Sequence, residues 1–281
     1  MFNHIKSDCN LLLLDLDGTL VGHSGQMTHT IQDALLRLKA QRPDIHLVVC
    51  TGRPYGGIAQ SISELISSPS TPHIFHGGAL VRSKDTILHA EPLAKDVLLN
   101  LLKTHSQHPE FTLEFYSPST IYVQHNSSLA QQHARLINMT NTTTDLHELI
   151  AQESIIKAQW ILHKDLLPSL RPHYLDSCYQ AEATSDVMPD AAFVTITSLH
   201  AHKGAAVQRI PALIPGTSLD RAIAIGDSTG DIPMLDAVKF PFAMQNSPPN
   251  LLQAYPNLGH IDDDGVMPLI EHLIALPPLS Q

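Results

Sequence analysis

The sequence predicts an α/β fold: a parallel sheet covered by helices on both faces, interrupted by a long α+β segment. Three observations predict it. The stretches LLLL at 11–14 and IHLVVC at 45–50 run almost without a polar residue, as strands buried on both faces do. Such strands alternate with helix-patterned segments at both ends of the chain. Between about residues 84 and 195 the strands change character and alternate apolar with polar positions, which marks a sheet with one face outside the core.

Taken in order, LLLLDLD is a strand that ends on carboxylates, followed by a short polar loop. The segment TIQDALLRLKAQ places Ile31, Ala34, Leu35 and Leu38 at the i, i+3, i+4, i+7 spacing of a helix, with Thr28 or Thr30 as its N-cap. Pro43 breaks the chain before the second strand. After TGRP a second helix has Ile58, Ile62, Leu65 and Ile66 on one face, and HIF with the turn HGG forms a third strand.

Beyond residue 84, FTLEFY and TIYVQH flank the turn SPS as a hairpin. Helices are expected at AKDVLLNLLK, SLAQQHARLI and DLHELIA, with later strands at SIIKAQWIL, SCYQAEA and AFVTIT. An antiparallel sheet with helices on one face accommodates this order. The segment 84–195 is accordingly expected to be a second domain inserted into a core formed by 1–83 and 196–281. The parallel pattern then resumes with a helix at HKGAAVQRIPALI, strands at RAIAIGD and FPFAMQN, and a closing helix at DDDGVMPLIEHLIAL.

Composition excludes several function classes. A net charge of -10 disfavours non-specific nucleic-acid or anionic-membrane binding. No apolar run reaches the length of a bilayer span, and the polar start MFNHIKSDCN does not read as a secretory signal. Cys9, Cys50 and Cys178 are odd in number and far apart, which opposes a disulfide framework and fits a reducing, cytoplasmic location. The 18 histidines show no tight ligand spacing and read as scattered surface residues.

The chemistry sits at strand ends. In a parallel sheet the carboxyl ends of the strands gather in one crevice, and here those ends read DLDGTL, VVCTGR, HGGAL and AIAIGDSTGD. They bring Asp15, Asp17, Asp227 and Asp231 together, with Thr51 and Lys203 nearby. Four acids in one crevice call for a bound cation, and oxygen-only ligation suits Mg²⁺. Against this stand blander readings: a polar strand end for Asp15 and Asp17, helix capping for Asp227 and Asp231, and an exposed lysine for Lys203.

DLDGTL, Thr51, Lys203 and GDSTGD resemble, in that order, the four signatures of the haloacid dehalogenase superfamily of phosphotransferases, and FAMQNSPP with DDDGV resembles the tail of its Cof-type branch. The long insert between HGGAL and Lys203 is similar to the type C2B cap of subfamily IIB. The resemblance implies a Rossmann-like core and a cap that closes over the crevice and reads the leaving group. It implies that Asp15 is the nucleophile forming an aspartyl-phosphate and Asp17 the general acid and base. Mg²⁺ is expected on the side chains of Asp15 and Asp227 and the backbone carbonyl of Asp17, with Asp231 alongside. Thr51, through its hydroxyl and backbone N–H, and Lys203 are expected to hold the phosphoryl oxygens. Gly18 permits the turn beneath the phosphate and Thr19 orients Asp17, while Gly52, Arg53, His76 and Asn246 complete the substrate-binding set. Arg53 either clamps substrate or pairs with a nearby acid. Two departures stand out: Gly230 where the family carries Asn, and His76 where the Cof branch has Asn.

The expected activity is a Mg²⁺-dependent phosphatase acting on a small phosphorylated metabolite, a sugar phosphate or a phosphorylated cofactor. One alternative is a phosphomutase, for which VGHSGQ after DGTL lacks the arginine of related mannose mutases. The other is a non-catalytic phosphate-binding protein, disfavoured because it would need neither Asp17 nor a large insert.

Overall fold

The computed structural model describes residues 2, 4–185 and 187–278, and the chain divides into two compact units. One comprises Met1–Pro54, Ile58–Leu88 and His202–Gln281; the other comprises Tyr55–Gly57 and His89–Ala201.

In the first unit β1 (Leu11–Leu14), α1 (His29–Gln41), β2 (His46–Val49), α2 (Gly57–Ile66), β3 (His73–Phe75) and β4 (Leu80–Arg82) follow in turn. Every residue of β1 is buried because the strand lies centrally: Leu11 faces His46 of β2 on one side and Ala222 on the other, both in parallel register. A parallel bridge from Cys50 to Ile74 attaches β3 beyond β2, and β3 pairs antiparallel with β4. The Thr28 hydroxyl caps α1 by accepting the Ile31 N–H, and the predicted stripe Ile31, Ala34, Leu35, Leu38 is its buried face. Helix α2 buries Ala59, Ile62, Ser63 and Ile66, a stripe turned slightly from the predicted one; the Ser63 hydroxyl satisfies itself on Gln60 O.

The chain leaves through β5 (Ile87–Ala90) into the inserted unit, which runs α3 (Lys95–Gln107), β6 (Thr112–Tyr116), β7 (Ile121–Val123), α4 (Ser128–Leu136), β8 (Asn141–Thr143), α5 (Leu146–Gln152), β9 (Lys157–His163), α6 (Leu167–Leu170), β10 (Tyr179–Thr184) and β11 (Ala191–Thr197). Its sheet has the order β10-β11-β9-β6-β7-β8. The sheet is mixed rather than antiparallel throughout, because β8 joins parallel to β7 after the crossover of α4. Nor do the helices share one face. Helices α3 and α5 pack Val97, Leu101, Leu146 and Leu149 with Phe115 and Trp160 on one side. Residues Leu129 and Leu136 of α4 pack with Ile161 and Phe193, whose side chains alternate to the other side.

The chain returns as α7 (Lys203–Val207), α8 (Ile210–Leu213), β12 (Ala222–Gly226), α9 (Ile232–Leu235), β13 (Phe240–Ala243), α10 (Pro249–Ala254) and α11 (Met267–Ala275). The single helix expected over 202–214 is two, since Pro211 near the start of α8 has no N–H to continue the ladder. The sheet order β13-β12-β1-β2 is parallel, as predicted. On one face Leu11, Leu13, Val48 and Ala224 pack with Ala206, Val207, Ile210 and Leu235. Buried Arg42 ties the base together by donating to Asp44, Leu273 O and Ser7 O. The three cysteines are free and buried, and no helix among the described residues is long and apolar enough to cross a membrane.

His73 is one of the histidines that is not on the surface. Its Nδ1 accepts the Val49 N–H at 3.0 Å, and its Nε2–H donates to Ser67 Oγ at 2.8 Å, whose own proton goes to Ser63 O. The ring is therefore neutral, and burial pushes its pKa down to about 3. A histidine lowered in the native state binds its proton in the unfolded chain first, so its contribution is complete above about pH 6.5 and falls away below it. Between pH 7 and 5 this loss is expected to reach about 2 kcal/mol. Urea unfolding at the two pH values, with His73→Gln as the non-titrating control, checks it: the variant should show that much less acid sensitivity.

Candidate active site

At the end of β1 the Asp15 N–H continues the ladder by donating to Ile225 O at 3.0 Å, which leaves the carboxylate buried at 5% exposure. The chain then turns sharply, with the N–H groups of Thr19, Leu20 and Val21 all directed at Leu16 O. Gly18 has φ +78°, and a Cβ there would lie 2.1 Å from Asp227 Oδ2. Only a glycine lets the turn after β1 sit against the carboxylate that follows β12.

Lys203, the first residue of α7, reaches between the two strand ends. Its Nζ donates to Asp15 Oδ1 and to Asp231 Oδ1, both at 2.5 Å. The second oxygen of Asp231 accepts the Asp227 N–H at 3.1 Å, the Ser228 N–H at 2.9 Å and the Ser228 hydroxyl at 2.9 Å. Gly226 allows the fit, since a Cβ would come within 2.5 Å of the Asp231 side chain. One buried carboxylate thus fixes the lysine and shapes the loop carrying Asp227. Oxygens of Asp15, Asp227 and Asp231 all lie within 4.8 Å of one another.

The electrostatics follow from burial. Desolvation raises the pKa of Asp15 well above the carboxylate range, the Asp231 charge adds to it, and Lys203 opposes. Asp227 is pushed up to about 7, again by burial first and Asp231 second. Burial works against the Lys203 charge, but Asp15 and Asp231 outweigh it and hold the ammonium protonated. The donor set is all carboxylate oxygen, the chemistry that a small hard divalent cation takes.

The structure brings Asp15, Asp227, Asp231 and Lys203 together and sends the Asp17 side chain elsewhere. Asp17 is exposed and forms a bidentate pair with Arg53, at 2.8 Å from Nε and 2.6 Å from Nη2. Of the two readings of Arg53, pairing with a nearby acid is the one observed. Thr51 is fully buried; its hydroxyl accepts the Arg53 N–H at 3.1 Å. Its own N–H donates to Ile74 O, so it is not available to a phosphoryl group as expected. Gly52, next in line, is exposed. Thr19 does not orient Asp17: its buried hydroxyl has no hydrogen-bond partner among the described residues. His76 is buried with φ +52°, its N–H on Arg53 O. Asn246 donates to Gly18 O at 2.8 Å and Asp227 Oδ2 at 3.4 Å, and accepts the Ile261 N–H, so it braces the two loops. The sequence reading missed Ser228. The spacing Ser228 to Asp231 is a capping box, formed here, and that signal was available.

A parallel sheet with an acidic cluster at its strand ends, interrupted by an inserted mixed-sheet unit, places the chain in the α/β class of proteins that work at the carboxyl ends of their strands. Residues 12–270 match the family model of haloacid dehalogenase-like hydrolases, and the chain belongs to that family. It is 27% identical to the presumptive phosphatase YxeH of Bacillus subtilis, over 87% of this chain and 90% of that one. With a presumptive phosphatase of Streptococcus pyogenes it shares 26% identity, over 86% and 89%. Its fold is similar to that of the subclass IIB sugar phosphatase BT4131, at TM-score 0.74 and 20% identity over 94% and 98% of the two chains. TM0651 of Thermotoga maritima gives TM-score 0.77 at 17% identity, over 94% and 97%.

Gly18→Ala tests the packing of the two loops. The methyl group meets the Asp227 carboxylate, and the left-handed backbone is strained for alanine, so stability should fall by roughly 1–3 kcal/mol. Urea denaturation of the variant beside wild type reads this; an unchanged midpoint would contradict the geometry.

Proposed function

We propose that this protein is a Mg²⁺-dependent phosphatase that hydrolyses a small phosphorylated metabolite, a sugar phosphate, through an aspartyl-phosphate on Asp15. One observation carries the reading: three carboxylates, two of them buried, gather within 4.8 Å of one another around a single ammonium, and when all are ionised they leave an excess of two negative charges for a divalent ion to neutralise. The names of the relatives as phosphatases support it. The division of labour places this chemistry in 1–83 and 196–281, with 84–195 as the cap.

Asp15 and Asp227 would hold the ion with the Asp17 carbonyl, and Asp231 adds its charge while anchoring Lys203. Bound there, Mg²⁺ supplies neutralisation of Asp15 and stabilisation of the charge on the transferring phosphoryl oxygens. An oxygen of Asp15 attacks phosphorus, the bond to the ester oxygen breaks, and Asp17 gives its proton to the departing alcohol. Paired with Arg53 the Asp17 carboxylate is an acceptor only, so delivering a proton requires it to turn away from the guanidinium. Asp17 then takes a proton from the water that cleaves the acyl phosphate. The Thr51 hydroxyl proton and the Lys203 ammonium hold phosphoryl oxygens, with the Gly52 N–H taking the part that Thr51 N–H does not.

Phosphate release from an aryl phosphate tests the assignment. Asp15→Asn should reduce turnover to background with the fold retained, and Asp17→Asn should lower kcat by about 10²–10⁴. Excess chelator should abolish activity and added Mg²⁺ restore it. Wild-type rates in Asp15→Asn, or full activity in chelator, would remove the nucleophile or the metal. A panel of sugar phosphates beside phosphorylated cofactors reads the substrate class.

A further inference from the structure

The inserted unit contains a second group of buried titratable residues that the proposed chemistry does not use. On the sheet face opposite Phe115 and Trp160, the register pairs Tyr116 with Lys157 and Glu114 with Gln159. Glu114 is fully buried and satisfied within the unit: it accepts the Tyr116 hydroxyl at 2.5 Å and His133 Nδ1 at 2.9 Å. Gln159 in turn contacts His133 Nε2 at 3.3 Å and accepts the Thr195 hydroxyl at 3.4 Å. The network is closed except at one member. Lys157 is 6% exposed, and its Nζ lies 4.8 Å from the centre of the Tyr116 ring with no hydrogen bond and no carboxylate in salt-bridge range among the described residues.

A lysine in this position is costly. An ammonium taken from water without an acceptor loses several kcal/mol of solvation, and one aromatic face returns only a part of it. Glu114 is near enough to act through space but is already engaged. A leucine or methionine would fill the same volume at no such cost. Helix α4 covers the Ile161 and Phe193 part of this face, and Lys157 stands at the other end of its strand, as the first residue of β9.

We propose that Lys157, seated on Tyr116, is the cation of an oxyanion-binding subsite in the inserted unit, taking a phosphate, sulfate or carboxylate group. The anion is one free in solution, and the subsite does not rest on the phosphatase reading. Burial lowers the Lys157 pKa to about 8, and an oxyanion against Nζ raises it again.

One measurement on the full-length protein tests this. Lysine side-chain NMR, with the signal assigned through Lys157→Met, follows Nζ titration alone and with saturating sulfate, inorganic phosphate or a dicarboxylate. The subsite predicts an upward pKa shift confined to Lys157; no shift with any of the three overturns it, whatever the protein's catalytic activity.

Discussion

The clamp of one buried ammonium between two buried carboxylates organises this protein. Lys203 bonds Asp15 and Asp231, residues 188 and 28 positions away in the chain, and each of the three is almost wholly out of water. Desolvation makes the arrangement unforgiving, because removing any one partner strands a charge that is almost wholly out of water, at a cost of about 3–5 kcal/mol. A clamp of this kind contributes less to stability than to uniqueness: it allows the end of β1, the start of α7 and the loop after β12 to meet in one way only. The same constraint leaves a residue of negative charge, since Asp227 lies within reach of both acids and has no cation of its own.

Backbone choices around the clamp follow from it. Asp231 uses one oxygen on the lysine and the other on two consecutive N–H groups and a hydroxyl, so the loop after β12 is wound around the carboxylate. Side-chain bulk is excluded where the loops touch, at Gly18 and Gly226. Asn246 closes the set by holding Gly18 O on one side and the Ile261 N–H on the other. These contacts lie at or beyond the ends of the regular elements, with Gly226 the last residue of β12 and Lys203 the first of α7. The parallel sheet delivers the strand ends, and the polar side chains then do what ladder hydrogen bonds do elsewhere.

The parallel core was legible because its strands are buried on both faces and so are apolar without interruption, and the acids were legible because carboxylates gathered directly after such strands are costly without a positive partner. Pairings decided by local competition were not. Thr51 carries a hydroxyl and an N–H, and only the position of β3 determines that Ile74 takes the N–H. Period-2 alternation showed that the inserted sheet has two unlike faces, yet it does not say which helix covers which. The stripe of α4 is short and interrupted by His133, which serves Glu114 rather than an apolar core. Arg42 reads as an exposed cation by composition and is instead buried at the base, satisfied by three backbone carbonyls and Asp44.

Asp15 and Asp17 show how much a single turn decides. Two residues apart on a continuing strand, they would project to the same face and repel in a shared environment. The chain instead reverses at Leu16, so that Asp15 stays within the ladder beside Lys203 while Asp17 emerges beside Arg53. One carboxylate ends at 5% exposure and the other with its side chain 54% exposed. Identical groups placed in environments this different are suited to different work: the buried one, fixed in direction and screened from water, to bond formation, and the exposed one, paired with Arg53 at the surface, to proton traffic. Two like charges that would only oppose each other in a strand are separated by one tight turn into a buried group and an exposed one, and that separation is what makes the proposed two-step transfer through a single crevice physically reasonable.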